Sequence, residues 1–112
     1  MLFRSVLLAV ATNCSVELGR RAAARVGVGF DVVVTAEEAG AYKPNPEPYR
    51  LALDRLGVDA ADALFVAGSP LDLRGASSVG MDVVWHNRAG LDRGDAPAPL
   101  RELRSLLDLL SL

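Results

Sequence analysis

The sequence has one cysteine, one histidine and no long apolar run, and each scarcity disfavours a class of protein. Cys14 alone cannot form a disulfide framework, so the reducing cytoplasm is the expected location. A catalytic cysteine would need a base, and the single histidine, His86, follows the last predicted strand. We therefore expect Cys14 to be a structural residue. No segment approaches the roughly 20 apolar residues of a transmembrane helix, so no membrane contact is expected. The arginines are scattered, with one adjacent pair, Arg20 and Arg21, which argues against a nucleic-acid partner.

What the sequence does contain is an ordinary globular composition over 112 residues. Apolar residues make up 51% and charged residues 23%, with a net charge of −2. A chain of this length holds one domain with a modest core. We therefore expect a single domain over residues 1–112.

Apolar, β-branched segments alternate with helical patterns along the chain. Buried strands are predicted at residues 6–11, 30–35, 64–67 and 82–85. Helices are predicted from Ser15 to about 26, over 46–56 and over 72–79, and a last amphipathic helix over 100–110. Glycine- and proline-containing stretches at 36–45 and 89–99 are predicted as loops. This alternation predicts an α/β fold, a doubly wound sheet whose four strands are parallel.

Polar residues follow three of the four predicted strands. Thr12 and Asn13 come after the first strand, and Lys43 lies beyond the second. Ser69 and Asp72 follow the third. Because the carboxyl ends of parallel strands meet at one edge of a sheet, where α/β proteins place their ligands, we expect these residues to form a site.

In this order, the three segments resemble motifs two, three and four of the haloacid dehalogenase superfamily of hydrolases. Residues 11–15 (Ala-Thr-Asn-Cys-Ser) resemble its apolar strand ending in Ser/Thr-Asn, and residues 42–49 (Tyr-Lys-Pro-Asn-Pro-Glu-Pro-Tyr) its lysine loop and following helix. Residues 65–72, then Gly75-Ala76 and 84–88, are similar to its acidic loop. The resemblance covers residues 6–88 and implies a hydrolase with a Rossmann-like sheet.

One position in the acidic loop bears on metal binding. Most phosphatases of the superfamily are expected to carry two aspartates there, near a magnesium ion, and alignment on Asp72 puts Gly68 in place of the first. Magnesium requires several oxygen ligands in octahedral geometry. The resemblance therefore favours the metal-free type II 2-haloacid dehalogenase branch and implies no cofactor. Ser69, where that branch is expected to have asparagine, and Ala67, where it has serine, leave the exact substrate open.

The superfamily's nucleophile is an aspartate in an Asp-x-(Asp/Tyr)-Gly-Thr motif, which this sequence does not contain. The resemblance implies the strand order 5-4-1-2-3. The four predicted strands would then be strands 2 to 5, in two pairs, with the central first strand missing. We expect residues 1–112 to be a partial core domain without the cap domain, from a longer protein or a truncated gene model, and not to turn over substrate alone.

For the complete enzyme, the resemblance implies nucleophilic catalysis by that aspartate on a small anionic substrate, a 2-haloacid. Lys43 would offset negative charge at the nucleophile and substrate. Asp72 would orient Lys43 or the hydrolytic water. Thr12 and Asn13 would donate hydrogen bonds to the substrate carboxylate, and Ser69 would be a further contact.

Plainer interpretations exist for each of these residues, and three functions stay open. A loop lysine is often solvated, and the polar strand ends can be helix caps or turns. The first function is the metal-independent dehalogenase-like hydrolase, and the second is a magnesium-dependent phosphatase of the same superfamily. The third is a non-catalytic α/β module that binds a partner through exposed sheet edges, which would also allow a homodimer.

Overall fold

The computed structural model describes residues 6–111 as parallel strands alternating with helices. The elements are β1 (Ala9–Thr12), α1 (Val16–Ala24), β2 (Val32–Thr35), α2 (Ala36–Ala39), α3 (Pro46–Leu56), β3 (Leu64–Ala67), α4 (Pro70–Ser78), β4 (Asp82–His86) and β5 (Arg101–Leu103). Two 3-10 helices cover Ala60–Asp62 and Leu106–Ser111. The predicted α/β class is confirmed.

The strands form two separate parallel sheets. β1 pairs with β2, with Ala9 opposite Val32, and β4 lies between β3 and β5. Within residues 6–111, β1 and β3 each pair on one edge only. The two predicted pairs of parallel strands are therefore present, and a fifth strand extends the second pair.

The helices begin where the sequence places side-chain caps. Ser15 Oγ accepts a hydrogen bond from the Leu18 amide, and Asn45 Oδ1 accepts one from the Glu47 amide. Each satisfies an amide that the first helical turn leaves without a partner. Pro46 occupies the first turn of α3, where a missing N–H costs nothing. The helix starts predicted at Ser15 and Asn45 are thus confirmed.

The predicted final helix over residues 100–110 is wrong. The segment forms β5 and then a 3-10 helix. The Leu100 amide donates to the Val83 carbonyl at 2.8 Å, and β5 continues this pairing along the free edge of β4. Leu103 is buried there, whereas Leu107 and Leu110 are exposed, so the leucine spacing does not mark a buried helical face. Pairing with an available strand edge overrides helix propensity in such a short segment.

Two smaller corrections concern the other connections. The predicted loop at 36–45 contains α2, a single turn in which Thr35 Oγ1 accepts a hydrogen bond from the Glu38 amide. α4 begins at Pro70, so Asp72 lies within its first turn and Ser69 takes the position before it. The Asp72 side chain is thereby free to make contacts outside its own helix.

The main core lies between β3, β4 and the two helices α3 and α4. Trp85, Leu73 and Tyr49 are its largest buried side chains. α3 also packs on β1 and β2, so it connects the two sheets. Among the described residues, the helices are too short or too polar to cross a membrane.

Candidate functional site

Lys43 and Asp72 form an ion pair between the loop that follows α2 and the first turn of α4. Lys43 Nζ lies 3.2 Å from Asp72 Oδ1, and the two side chains are 17% and 13% exposed. Lys43 comes from the loop between α2 and α3, and Asp72 from the first turn of α4. A mostly buried pair of this kind gains more from its attraction than an exposed one, because water screens it less.

Tyr49 of α3 makes a further hydrogen bond to this ion pair. Its hydroxyl donates to the same Asp72 Oδ1 at 2.8 Å, and its ring is fully buried. Burial, and then the hydrogen bond to the Asp72 carboxylate, raise the pKa of the Tyr49 hydroxyl above its ordinary value. The Phe65 ring packs edge-on to Tyr49 with centroids 5.3 Å apart, and Lys43 Nζ lies 6.0 Å from the Phe65 centroid.

The part of Tyr49 in the site was not predicted from the sequence, where Tyr49 is only the last residue of the segment that resembles the lysine loop and following helix. A signal was present, because a buried tyrosine hydroxyl needs a hydrogen-bond partner among otherwise apolar neighbours. Gly75 in α4 makes room for it, since a Cβ there would lie 2.6 Å from two carbons of the Tyr49 ring.

Asn13 contacts the backbone of Lys43 rather than its ammonium group. Asn13 Oδ1 accepts from the Lys43 amide at 2.8 Å, and Asn13 Nδ2 donates to the Lys43 carbonyl at 3.2 Å. The end of β1 therefore holds the loop that carries the lysine. The structure brings together Asn13, Lys43 and Asp72 as the sequence predicts.

Thr12 and Ser69 make other contacts. Thr12 Oγ1 lies 3.2 Å from Cys14 Sγ. The Ser69 carbonyl accepts from the Asp72 amide at 3.1 Å, and its side chain does not cap α4. Within residues 6–111, no hydrogen bond joins either hydroxyl to the Lys43–Asp72 pair, so their substrate contacts stay predictions.

The first turn of α1 is already occupied by acceptors from the chain itself. The Val16 amide donates to Glu37 Oε1 at 2.7 Å, and the Leu18 amide donates to Ser15 Oγ. The N-terminus of a helix favours bound anions. In the structure a protein carboxylate holds that position.

A magnesium ion would find few ligands here. An added Cβ at Gly68 would meet no atom within 4 Å, so the position is open but carries no donor side chain. Oδ1 of Asp72 already contacts an ammonium and a hydroxyl. Residues 6–111 contain no group of three or more His, Cys, Asp or Glu side chains that could hold a metal. The described residues therefore do not fit a magnesium site by themselves.

These features are accompanied by a family match. Residues 4–86 match the model of the haloacid dehalogenase-like hydrolases, and the chain belongs to this family.

Its relatives include enzymes of two kinds. The chain is 33% identical over 109 residues to the (S)-2-haloacid dehalogenase 4A of Burkholderia cepacia, covering 95% of this chain and 47% of that protein. It is 36% identical over 90 residues to the pyrophosphatase PpaX of Bacillus velezensis (78% and 41%). The crystal structure of a HAD phosphatase from Thermococcus onnurineus is similar, with a TM-score of 0.83, 32% identity and coverage of 94% of this chain and 49% of that one. The chain spans about half the length of these proteins.

Proposed function

We propose that this chain supplies the lysine and acidic-loop part of a metal-independent 2-haloacid dehalogenase-like hydrolase. The observation that carries the proposal is the 3.2 Å contact of Lys43 Nζ with Asp72 Oδ1, in a segment where Gly68 supplies no second carboxylate. The positive charge facing Asp72 thus comes from an ammonium group of the chain. This arrangement suits a site that stabilises anions without a metal.

In the proposed reaction, an aspartate carboxylate outside the described residues attacks C2 of the 2-haloacid. A bond forms between the carboxylate oxygen and C2 while the C2–halogen bond breaks, and the halide leaves with the electron pair. Water then attacks the ester carbonyl carbon, which releases the 2-hydroxy acid, returns the aspartate to its carboxylate form and frees one proton. Lys43 would stabilise negative charge in both steps, and Asp72 would hold the ammonium group in place.

The substrate is accordingly a small anion. Thr12 and Ser69 stay candidates for contact with its carboxylate, and Asn13 could reach it only through the second hydrogen of Nδ2. We expect a cytoplasmic protein with no nucleic-acid or membrane partner, and a homodimer is compatible with its free sheet edges.

A magnesium-dependent phosphatase is the second candidate, because phosphatases are among the similar proteins. The open space at Gly68 would admit a carboxylate, but the chain does not supply one there.

The test uses the protein in the form that includes its nucleophile. We expect chloride release from 2-chloropropionate, unchanged by a chelator. Lys43→Met should lower kcat/KM by about a hundredfold or more, the range seen when one stabilising donor is lost. Arg50→Met, an exposed cation on α3, is the matched control and should leave the rate unchanged. Magnesium-dependent phosphate release without chloride release would overturn the proposal in favour of the phosphatase.

A further inference from the structure

We propose that Asn13 is a positioning residue for Lys43, acting through the lysine backbone. Both polar atoms of its amide are bonded to this one residue, Oδ1 to the Lys43 amide at 2.8 Å and Nδ2 to the Lys43 carbonyl at 3.2 Å. A pair of bonds on either side of one Cα fixes the direction of its Cα–Cβ bond. That direction brings Nζ to Asp72.

The lysine needs such support because it lies in a loop. Lys43 lies between α2 and α3, where no helix or strand holds its backbone. The turn that contains Lys43 is closed by one backbone hydrogen bond, in which the Asn45 amide donates to the Tyr42 carbonyl at 2.9 Å. Asn13 directly follows β1, which is paired with β2 up to Thr12 and Thr35. Asn13 therefore attaches the loop to the end of the β1–β2 sheet, where the strands are paired.

This role differs from donation to a substrate carboxylate. The consequence of the Asn13 contact for catalysis rests on the proposed function. The contact itself does not, and it can be measured on the 112-residue chain without a substrate.

Lys43 is the only lysine in the sequence, so amine acetylation reports on it directly. Peptide mass mapping separates Lys43 from the terminal amine. We expect Asn13→Ala to raise the acetylation rate of Lys43 about fivefold, the factor corresponding to loss of a side-chain hydrogen bond. Asn13→Asp keeps an acceptor for the Lys43 amide but loses the donor to its carbonyl, and should fall between wild type and Asn13→Ala. Asp72→Asn, which removes the ion pair, sets the upper reference.

Ser15→Ala is the matched control. It also removes one side-chain bond to a backbone amide in the same connection, but that bond caps α1 and does not involve Lys43. Its Lys43 rate should equal that of wild type. Melting followed by circular dichroism, with the wild type in urea as the unfolded reference, identifies a variant that has lost its fold. If Asn13→Ala loses its fold, the acetylation rate of Lys43 in Asn13→Asp tests the proposal instead.

An unchanged rate in the folded Asn13 variants, or an equal rise in Ser15→Ala, would overturn the proposal. So would a wild-type rate equal to that of the unfolded chain. If chloride is not released but the Lys43 acetylation rates follow the expected order, the proposed function is rejected and the role of Asn13 stands. If chloride is released but the acetylation rates do not follow that order, only the role of Asn13 is rejected.

Discussion

A single carboxylate oxygen of Asp72 has two polar partners in the candidate site. Oδ1 of Asp72 meets the Lys43 ammonium and the Tyr49 hydroxyl, which come from a loop and from a helix. Hydrogen bonds to a charged group are stronger than those between neutral groups. The position of Asp72 is therefore set by two other segments as well as by its own helix.

Tyr49→Phe should destabilise the chain by about 2 kcal/mol, because it removes a buried hydrogen bond to a charged group and keeps the ring. The raised pKa of Tyr49 also predicts a pH dependence. A group whose pKa is higher in the folded state contributes stability fully below its unfolded pKa, here 10.0, and loses it as the pH rises further. The difference between Tyr49→Phe and wild type should therefore shrink above about pH 10.

Urea unfolding at several pH values checks this expectation. Tyr42→Phe is the control, since Tyr42 is 70% exposed and its variant should unfold as wild type does. Equal stability of Tyr49→Phe and wild type at neutral pH would contradict the prediction.

At the level of elements, α3 and its neighbours hold the lysine loop from both ends. Arg55 in α3 donates to Glu38 of α2 at 2.8 Å, and this bond holds the pKa of the Glu38 carboxyl below its usual value. Thr35 Oγ1 also donates to Glu38, so α2 is attached both to α3 and to the end of β2. The loop of Lys43 thus begins after α2 and ends at α3, and these two helices are joined by the Arg55–Glu38 ion pair.

The approach of α3 to α4 depends on Gly75. Gly75→Ala should cost about 1–3 kcal/mol, because the added methyl overlaps the buried Tyr49 ring, which has little room to move. Gly68→Ala adds the same methyl group in open space and should change stability by less than about 0.5 kcal/mol. Urea midpoints of the two variants, measured together, decide the matter, and equal midpoints would show that the contact is unimportant.

For the whole molecule, the described sheets leave four strand edges unpaired, one each on β1, β2, β3 and β5. β3 also exposes Leu64 and Val66 beside its free edge. Unpaired strand edges with apolar side chains readily pair with further chains.

We accordingly expect the 112-residue chain to self-associate as its concentration rises. Val66→Lys should reduce this association, because charged residues on an edge strand oppose pairing. Leu71→Lys removes an exposed leucine from α4 instead and should associate as wild type does. Size-exclusion chromatography with light scattering measures the mass. A wild-type monomer at every concentration would count against edge pairing.

The sequence by itself determined the features that depend on neighbouring residues. Apolar β-branched runs such as residues 32–34 identify strands, although not their burial, since within that run only Val34 is fully buried. Ser15 and Asn45 mark helix starts, because each cap acts on amides within three residues. The order of strands and helices then predicts parallel pairing and a shared edge for Lys43 and Asp72.

Only the tertiary structure decided the contacts made across long stretches of chain. Residues 101–103 form a strand because β4 offers an edge, which no local pattern records. Tyr49 meets Asp72, 23 residues away, and Gly75 is needed only because that ring lies against it. Asn13 meets the Lys43 backbone, rather than its side chain, across 30 residues. Such contacts depend on how the elements pack in space, whereas composition and periodicity report only on the surroundings of each residue along the chain.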